Sequence, residues 1–418
     1  MTSPRFVHLA PPLAPPLALA LLVSACQPGT NDDEVGSETS TNSSSTDSDS
    51  TDASSTASDS TETTGEAPRP ERLVVTADWL GQRLSLLDYA ALRDGATTRE
   101  EALWREIDLS TWSPGPLELA LTPDGQSALV SISPGFFTGT IGNLLGAGDV
   151  PAGGALILVE LETGALIHEF ATLYTPMHPV ITADGLSAWT ANYGGDGPSD
   201  VGSTVSKLDL VSGSVELEFE VGPRPEQIDL SPDESLAIVS SAGDGAIQLF
   251  ATSAPEATLS ADLVTSGDSS WVLLLDDGSE RAFVTNSLNP SSFSLVDIAD
   301  PMAPALIETV MVATVPYAAT PIGDGRRMLM TGVDLGSEAI HLYDIDLGAP
   351  GVGASVTRDL TLPGGGFPLG LAYVPEDELV FVPAAGHNLL IVVSLADESS
   401  RAIPWQDVTG PSFVVVEP

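Results

Sequence analysis

Positive charge is scarce in this chain. Its 418 residues carry 58 Asp and Glu against 14 Lys and Arg, Lys207 is the only lysine, and the formal net charge is −44. Nucleic-acid backbones are held by neutralising their phosphates, so this balance excludes DNA and RNA as ligands. It equally excludes docking on anionic lipid through a basic patch. Cysteine is almost missing too, Cys26 being the only one. That excludes a disulfide framework, thiolate metal sites and a c-type haem, whose attachment needs C-x-x-C-H. There is no G-x-S-x-G nucleophile elbow, no H-E-x-x-H and no phosphate-binding loop. What the chain does have is 42% apolar residues, enough for a sizeable core, with 39 Gly and 33 Pro that point to many turns.

Residues 1–26 read as a targeting segment. Arg5 gives a weakly positive start, and Leu13 to Val23 form an apolar stretch interrupted by Pro15 and Pro16. The stretch is shorter than the ~20 residues that a helical span needs. It ends in Val23-Ser24-Ala25-Cys26, which resembles a bacterial lipobox. The resemblance implies cleavage before Cys26 and a lipid on its sulfur, and hence a membrane partner on the cell envelope, on the periplasmic or the outer surface. An ordinary secretory signal with an incidental cysteine is the alternative. Residues 27–70 follow as a tether. Asn31 to Glu66 is almost entirely Ser, Thr, Asp and Glu with Gly and Ala, which buries too little apolar surface to offset the entropy of ordering.

From 71 to 418 short apolar or alternating runs recur every 8–12 residues between Gly, Pro, Asp and Asn, the pattern of an all-β chain. One phrase repeats: an apolar run, Pro-Asp-Gly or a relative, then a second apolar run. It stands at Leu117–Val130 around Pro123-Asp124-Gly125, at Val180–Thr190 and at Ile228–Val239 around Pro232-Asp233-Glu234. Further copies turn at Asp277-Gly278, at Asp324-Gly325 and, degenerate, at Pro375-Glu376-Asp377, and the last half-copy is Gly410 to Val416. Between copies lie strands ending in Asp or Glu, such as Ser294 to Ile298 and His341 to Ile345. Each unit therefore holds four strands in about 45–60 residues, the size of a propeller blade.

Phe283-Val284-Thr285-Asn286 followed by Ser294-Leu295-Val296-Asp297 resembles the YVTN-type β-propeller repeat, shared with lactonase-like and quinoprotein-amine-dehydrogenase-like propellers. The resemblance covers about 71–418 and implies fold more than function, since such propellers host enzymes and binding modules alike. The fold expected is an all-β, seven-bladed propeller of four-stranded antiparallel blades. Leu73–Trp79, Leu84–Asp88 and Trp104–Leu109 share one blade with the C-terminal Phe413–Val416 and so close the ring.

Candidate site residues follow from the repeat's phase. The starts of innermost strands and the ends of second strands gather on the face opposite the Asp-Gly turns. There stand Glu118 and the candidate ligand-binding residues His178, Arg224, Glu226, Trp271 and Tyr317 with Asn192, Asn286 and His387, a mixture suited to a small-molecule, glycan or protein ligand. His178, Arg224 and Glu226 are the candidates for base, oxyanion partner and acid if the chain is instead a lactonase-like or other hydrolase. A solvated rim is the plain alternative. Asp196 and Asp200, in an acidic loop, are weak candidate Ca²⁺ ligands without EF-hand spacing, and the leading reading of the same loop is a simple acidic turn. No cofactor is required. Pro134 to Gly154 is long and apolar for a loop and reads either as a cap on its own channel or as a partner contact. The leading expectation is an envelope-anchored, monomeric binding module. Cys26→Ser should abolish lipoprotein processing and partitioning into detergent, checked by phase separation and mass spectrometry; unchanged processing would contradict the lipobox.

Overall fold

The computed structural model describes residues 68–79, 81–112, 115–133, 154–170, 175–194, 201–265, 267–287, 290–349, 351–385, 387–406 and 410–418. They form seven four-stranded antiparallel sheets, each blade running in sequence order from the axis outward except the one that closes the ring. In blade 1 the innermost strand is Pro411–Val416, followed by Leu73–Asp78, Arg83–Asp88 and Leu103–Asp108. Blades 2 to 7 occupy 116–170, 176–220, 225–264, 269–311, 315–361 and 372–404. The chain is a seven-bladed β-propeller. Cys26, the tether, Asp196, Asp200 and nearly all of the Pro134–Gly154 loop lie outside the described residues. Among the described residues no helix is long and apolar enough to cross a membrane.

The repeated turn has a clear chemical basis. Thr122 Oγ1 donates to Asp124 Oδ1 at 2.6 Å and accepts from the Ser127 N–H, while Gly125 takes φ +66°. Thr182, Asp184 and Gly185 repeat the arrangement. Ser231 and Asp233 do so with Glu234 in the glycine position at φ +57°. The carboxylate and hydroxyl satisfy backbone groups that a tight turn leaves unpaired. Large side chains fill the space between blades: the rings of Trp189 and Phe250 lie 5.6 Å apart, those of Phe283 and Phe293 5.2 Å.

Hydroxyls stitch neighbouring blades near the axis. Ser131 donates to the Pro176 carbonyl, Ser240 to Ser270, Ser287 to Pro316 and Thr331 to Pro368, at 2.7 to 3.3 Å. Ser412 reaches the Leu117 carbonyl at 2.8 Å. In each case a donor of one blade satisfies the start of the next blade's innermost strand. Ring closure is stronger still. Val74 to Ala77 pair with Val416 to Phe413, and the buried Glu417 carboxylate accepts the Leu73 N–H at 2.8 Å and pairs with Arg69.

Two helical turns, Tyr89–Asp94 and Arg99–Ala102, interrupt blade 1 where only strands were expected. Thr98 and Glu101 form a capping box at the second, a signal present in the sequence as Thr-x-x-Glu. Removing residues 411–418 should strip blade 1 of its innermost strand and expose unpaired backbone and apolar faces. The truncated chain should aggregate or lose its cooperative melt in calorimetry; a melt like that of the full chain would contradict the closure.

Candidate functional site

Seven innermost strands converge on the axis, and most begin alike. Pro116-Leu117-Glu118, Pro176-Met177-His178, Pro225-Glu226-Gln227, Pro316-Tyr317-Ala318, Pro368-Leu369-Gly370 and Pro411-Ser412-Phe413 share a Pro-x-x start, with Ser269-Ser270-Trp271 as the variant. The pairing register slips near this point in six of the seven blades. The third residues form the waist of the axial channel. Gly370 is glycine for a steric reason: a Cβ there would stand 2.8 Å from the Phe413 ring.

On the strand-start side of the waist is a cavity of only about 20 Å³, lined by Glu118, His178, Glu226, Gln227, Trp271 and Tyr317 among others. That is space for about one water. On the other side the channel widens to about 630 Å³ and runs to the Asp-Gly turns, with all seven blades contributing. His178, Gln227 and Trp271 line both. Among the described residues the roomy end of the channel therefore lies on the face opposite the one the repeat phase singled out. Leu117, Met177, Tyr193 and Leu369, packed with Tyr317 and Phe367, crowd the strand-start end.

His178 sits inside a strand at φ +43°, a strained region for a residue with a Cβ. Its backbone N–H donates to Glu118 Oε2, which compensates for the conformation. A similar device recurs two blades on. Gln227 Oε1 accepts the Val272 N–H at 3.0 Å, and Asp229 Oδ2 accepts the Leu274 N–H at 2.7 Å. With its oxygen so engaged, the Gln227 amide donates to His178 Nε2 at 3.2 Å. The imidazole proton then belongs on Nδ1, 4.0 Å from Glu118 Oε1. Neither His178 Nδ1 nor Trp271 Nε1 has a hydrogen-bond partner, and both atoms are buried. The His178 ring meets Trp271 edge-on at 4.7 Å.

Burial sets the protonation states. It pushes Glu118 up to about 8, opposed by the His178 N–H, and His178 down to about 4. Burial raises Glu226 well above the carboxylate range, and the neighbouring Glu118 and Asp268 charges add to it. Asp229 rises to about 7 through burial. Tyr317 is raised by burial and by Glu226. Near neutral pH the hydrogen-bonding groups of the waist, Glu118, His178, Gln227 and Trp271, are uncharged.

Of the expected site residues, His178, Glu226, Trp271 and Tyr317 meet at this cavity. Arg224 does not line it; its guanidinium stands 6.0 Å over Tyr193, and its charge lowers Asp268 against the burial that raises it. Asn192 spends its amide on Thr204 and Ser206, and Asn286 on Ser292 and Ser294, within their own blades. His387 pairs with Glu338 of the preceding blade at 2.8 Å and is one-third exposed. Second strands present side chains to sheet faces, and only the innermost strands border the axis, which is why Asn192 and Asn286 miss it. Gln227 is the residue that sequence reasoning missed. The Pro-x-x starts, aligned, carry the signal for it. Among the described residues no cluster of three or more His, Cys, Asp or Glu has metal-binding geometry.

No protein-family model and no curated protein sequence matches the chain. Solved structures do resemble it. The periplasmic gluconolactonase of Pseudomonas aeruginosa aligns with a TM-score of 0.63 at 16% identity, over 83% of this chain and 99% of its own. A functionally unknown protein from Desulfotomaculum acetoxidans aligns at 0.63 and 12% identity, over 82% and 98%. Hydrazine synthase of Kuenenia stuttgartiensis aligns at 0.57 and 19% identity, over 72% and 89%. At such identities the likeness is one of fold, a propeller that serves different chemistries.

Glu118 gives a pH test. Its carboxyl holds a proton in the folded state up to about 8 but releases it near 4.5 when unfolded. Stability is therefore lost as pH rises through that window, by on the order of a few kcal/mol, and levels off above it. His178, with its folded value below its unfolded one, changes stability only below about pH 6.5. Urea unfolding between pH 6.5 and 8.5 should show a fall, to which the raised Glu226 also contributes, that Glu118→Gln makes shallower; parallel curves for the two proteins would contradict the assignment.

Proposed function

We propose that the chain is an envelope-anchored binding module that takes a small uncharged molecule into the axial channel of its propeller. The observation that carries this reading is the waist itself. Glu118, His178, Gln227 and Trp271 come from four consecutive blades, hold no net charge near neutral pH, and leave two buried N–H groups without a partner. Buried donors without acceptors cost about 1–3 kcal/mol each, and a ligand acceptor removes that cost. Anchoring rests on the Val23–Cys26 sequence and the acidic run that follows it.

A second reading, opening of a ring ester at the same waist, has the juxtaposed Glu118 and His178 and a gluconolactonase among the similar folds in its favour. Hydrolysis needs a base for water and a partner for the oxyanion. His178 Nε2 is engaged by Gln227, Glu118 is protonated near neutral pH, and Arg224 stands away from the cavity. These three facts favour binding over turnover.

Titrating the full chain with δ-valerolactone, by calorimetry and with a pH-stat, separates the readings. Binding without acid release above the blank is expected, with affinity lost in Trp271→Ala. Acid release that disappears in Glu118→Gln or His178→Asn would move the assignment to a hydrolase.

A further inference from the structure

The wide part of the channel differs in character from its waist. Its wall is built from Leu119, Leu121, Ile181, Leu273 and Val415 on innermost strands and Leu371 just before one, and most of these are only half-buried. Apolar side chains near the centre of a protein are normally covered by other side chains. Here they face about 630 Å³ of open channel, a volume in the range of small-molecule sites. At the waist, Ala318 and Gly370 occupy the level at which other blades place His178, Gln227, Trp271 and Phe413, so two of the seven positions carry almost no side chain.

The charged groups at the wide end are already committed. Arg72 donates to the Glu417 carbonyl at 2.6 Å and pairs with Glu376, and Glu417 is held by Arg69 and the Leu73 N–H. Among the described residues no uncommitted cation is left there for an anionic head group. At the inner end the unpartnered groups are donors, His178 Nδ1 and Trp271 Nε1, both buried, so that a ligand acceptor meets them by opening the waist. A carboxylate placed beside them would also face Glu118 and Glu226, whose own ionisation burial already opposes.

We infer that the channel binds an uncharged amphiphile, entering from the Asp-Gly turn face with its alkyl body along the apolar wall and a carbonyl acceptor at His178 and Trp271. The inference deepens the proposed binding function and rests on it, because it names the ligand class and the direction of entry. It assigns separate tasks to the two ends. The waist supplies a fixed hydrogen-bond contribution that does not depend on the length of the ligand. The wall supplies a contribution that grows with every methylene removed from water.

The experiment is a calorimetric series on the full chain with δ-valerolactone and δ-lactones carrying alkyl chains of increasing length, alongside the matching 2-alkanones. Affinity should rise about fourfold for each added CH₂ in both series until the channel is filled. Trp271→Phe keeps the ring and removes the donor; it should weaken every member by about fivefold and leave the slope per CH₂ unchanged. Thr320→Trp, at a half-buried position in the wide part, should end the rise at a shorter chain, with melting near that of the parent chain as the control for folding. Binding of δ-valerolactone with no dependence on chain length would overturn the inference and leave the binding function standing. A chain-length slope that Thr320→Trp does not shorten would overturn the placement in this channel. Failure of all the lactones and ketones to bind would overturn both the inference and the reading beneath it.

Discussion

The ladder between Leu73–Asp78 and Pro411–Val416 joins segments that begin and end the propeller, and the Leu73 N–H meets the Glu417 carboxylate across 344 positions of sequence. Every other blade is built from consecutive strands and could form locally. A ring could not, because its last blade is complete only when both ends arrive. Once it closes, no innermost strand is left without a partner strand, and the carbonyls at the strand starts find hydroxyls on the neighbouring blade. Each such bond contributes about 1 kcal/mol net, but their shared placement fixes where the seven strands begin.

The waist is a consequence of that placement. With the strand starts held at one level, their third residues face one another across the axis. His178 is forced to φ +43° and offers its N–H to Glu118, while Gln227 and Asp229 do the same service for blade 5. Side chains thus replace the backbone partners that an inner edge strand lacks. The electrostatic outcome is unusual for so acidic a protein. The net charge of −44 lies elsewhere, and at the axis burial keeps carboxyls and imidazole neutral together.

Much of the fold was legible because the Thr/Ser-x-Asp turns of blades 2, 3 and 4 use the same hydrogen bonds and leave nearly the same letters behind. The two helical turns in blade 1 were not, since they are a single insertion with no repeat to reveal them. The site was legible in part. His178, Glu226, Trp271 and Tyr317 lie on innermost strands and reach the axis, whereas Asn192 and Asn286 lie one strand out and turn to hydroxyls of their own sheets. Strand ends share a face of the ring without sharing a distance from its axis. Gln227 escaped notice because an amide beside Glu226 draws no attention until the Pro-x-x starts are superposed. Which end of the channel is roomy was not legible for a related reason: phase tells which residues begin strands, but the bulk of Leu117, Met177, Tyr317 and Leu369 decides which end is filled.

The central claim is that the axial waist is an uncharged hydrogen-bonding site. Infrared difference spectroscopy of the parent chain against Glu118→Gln at pH 6.5 tests it most directly, because protonated and ionised carboxyls absorb at well-separated frequencies. The account predicts a protonated-carboxyl band in the parent that the substitution removes, with no accompanying loss of carboxylate signal. Loss of a carboxylate band instead would mean that Glu118 is ionised at the waist and would contradict the account.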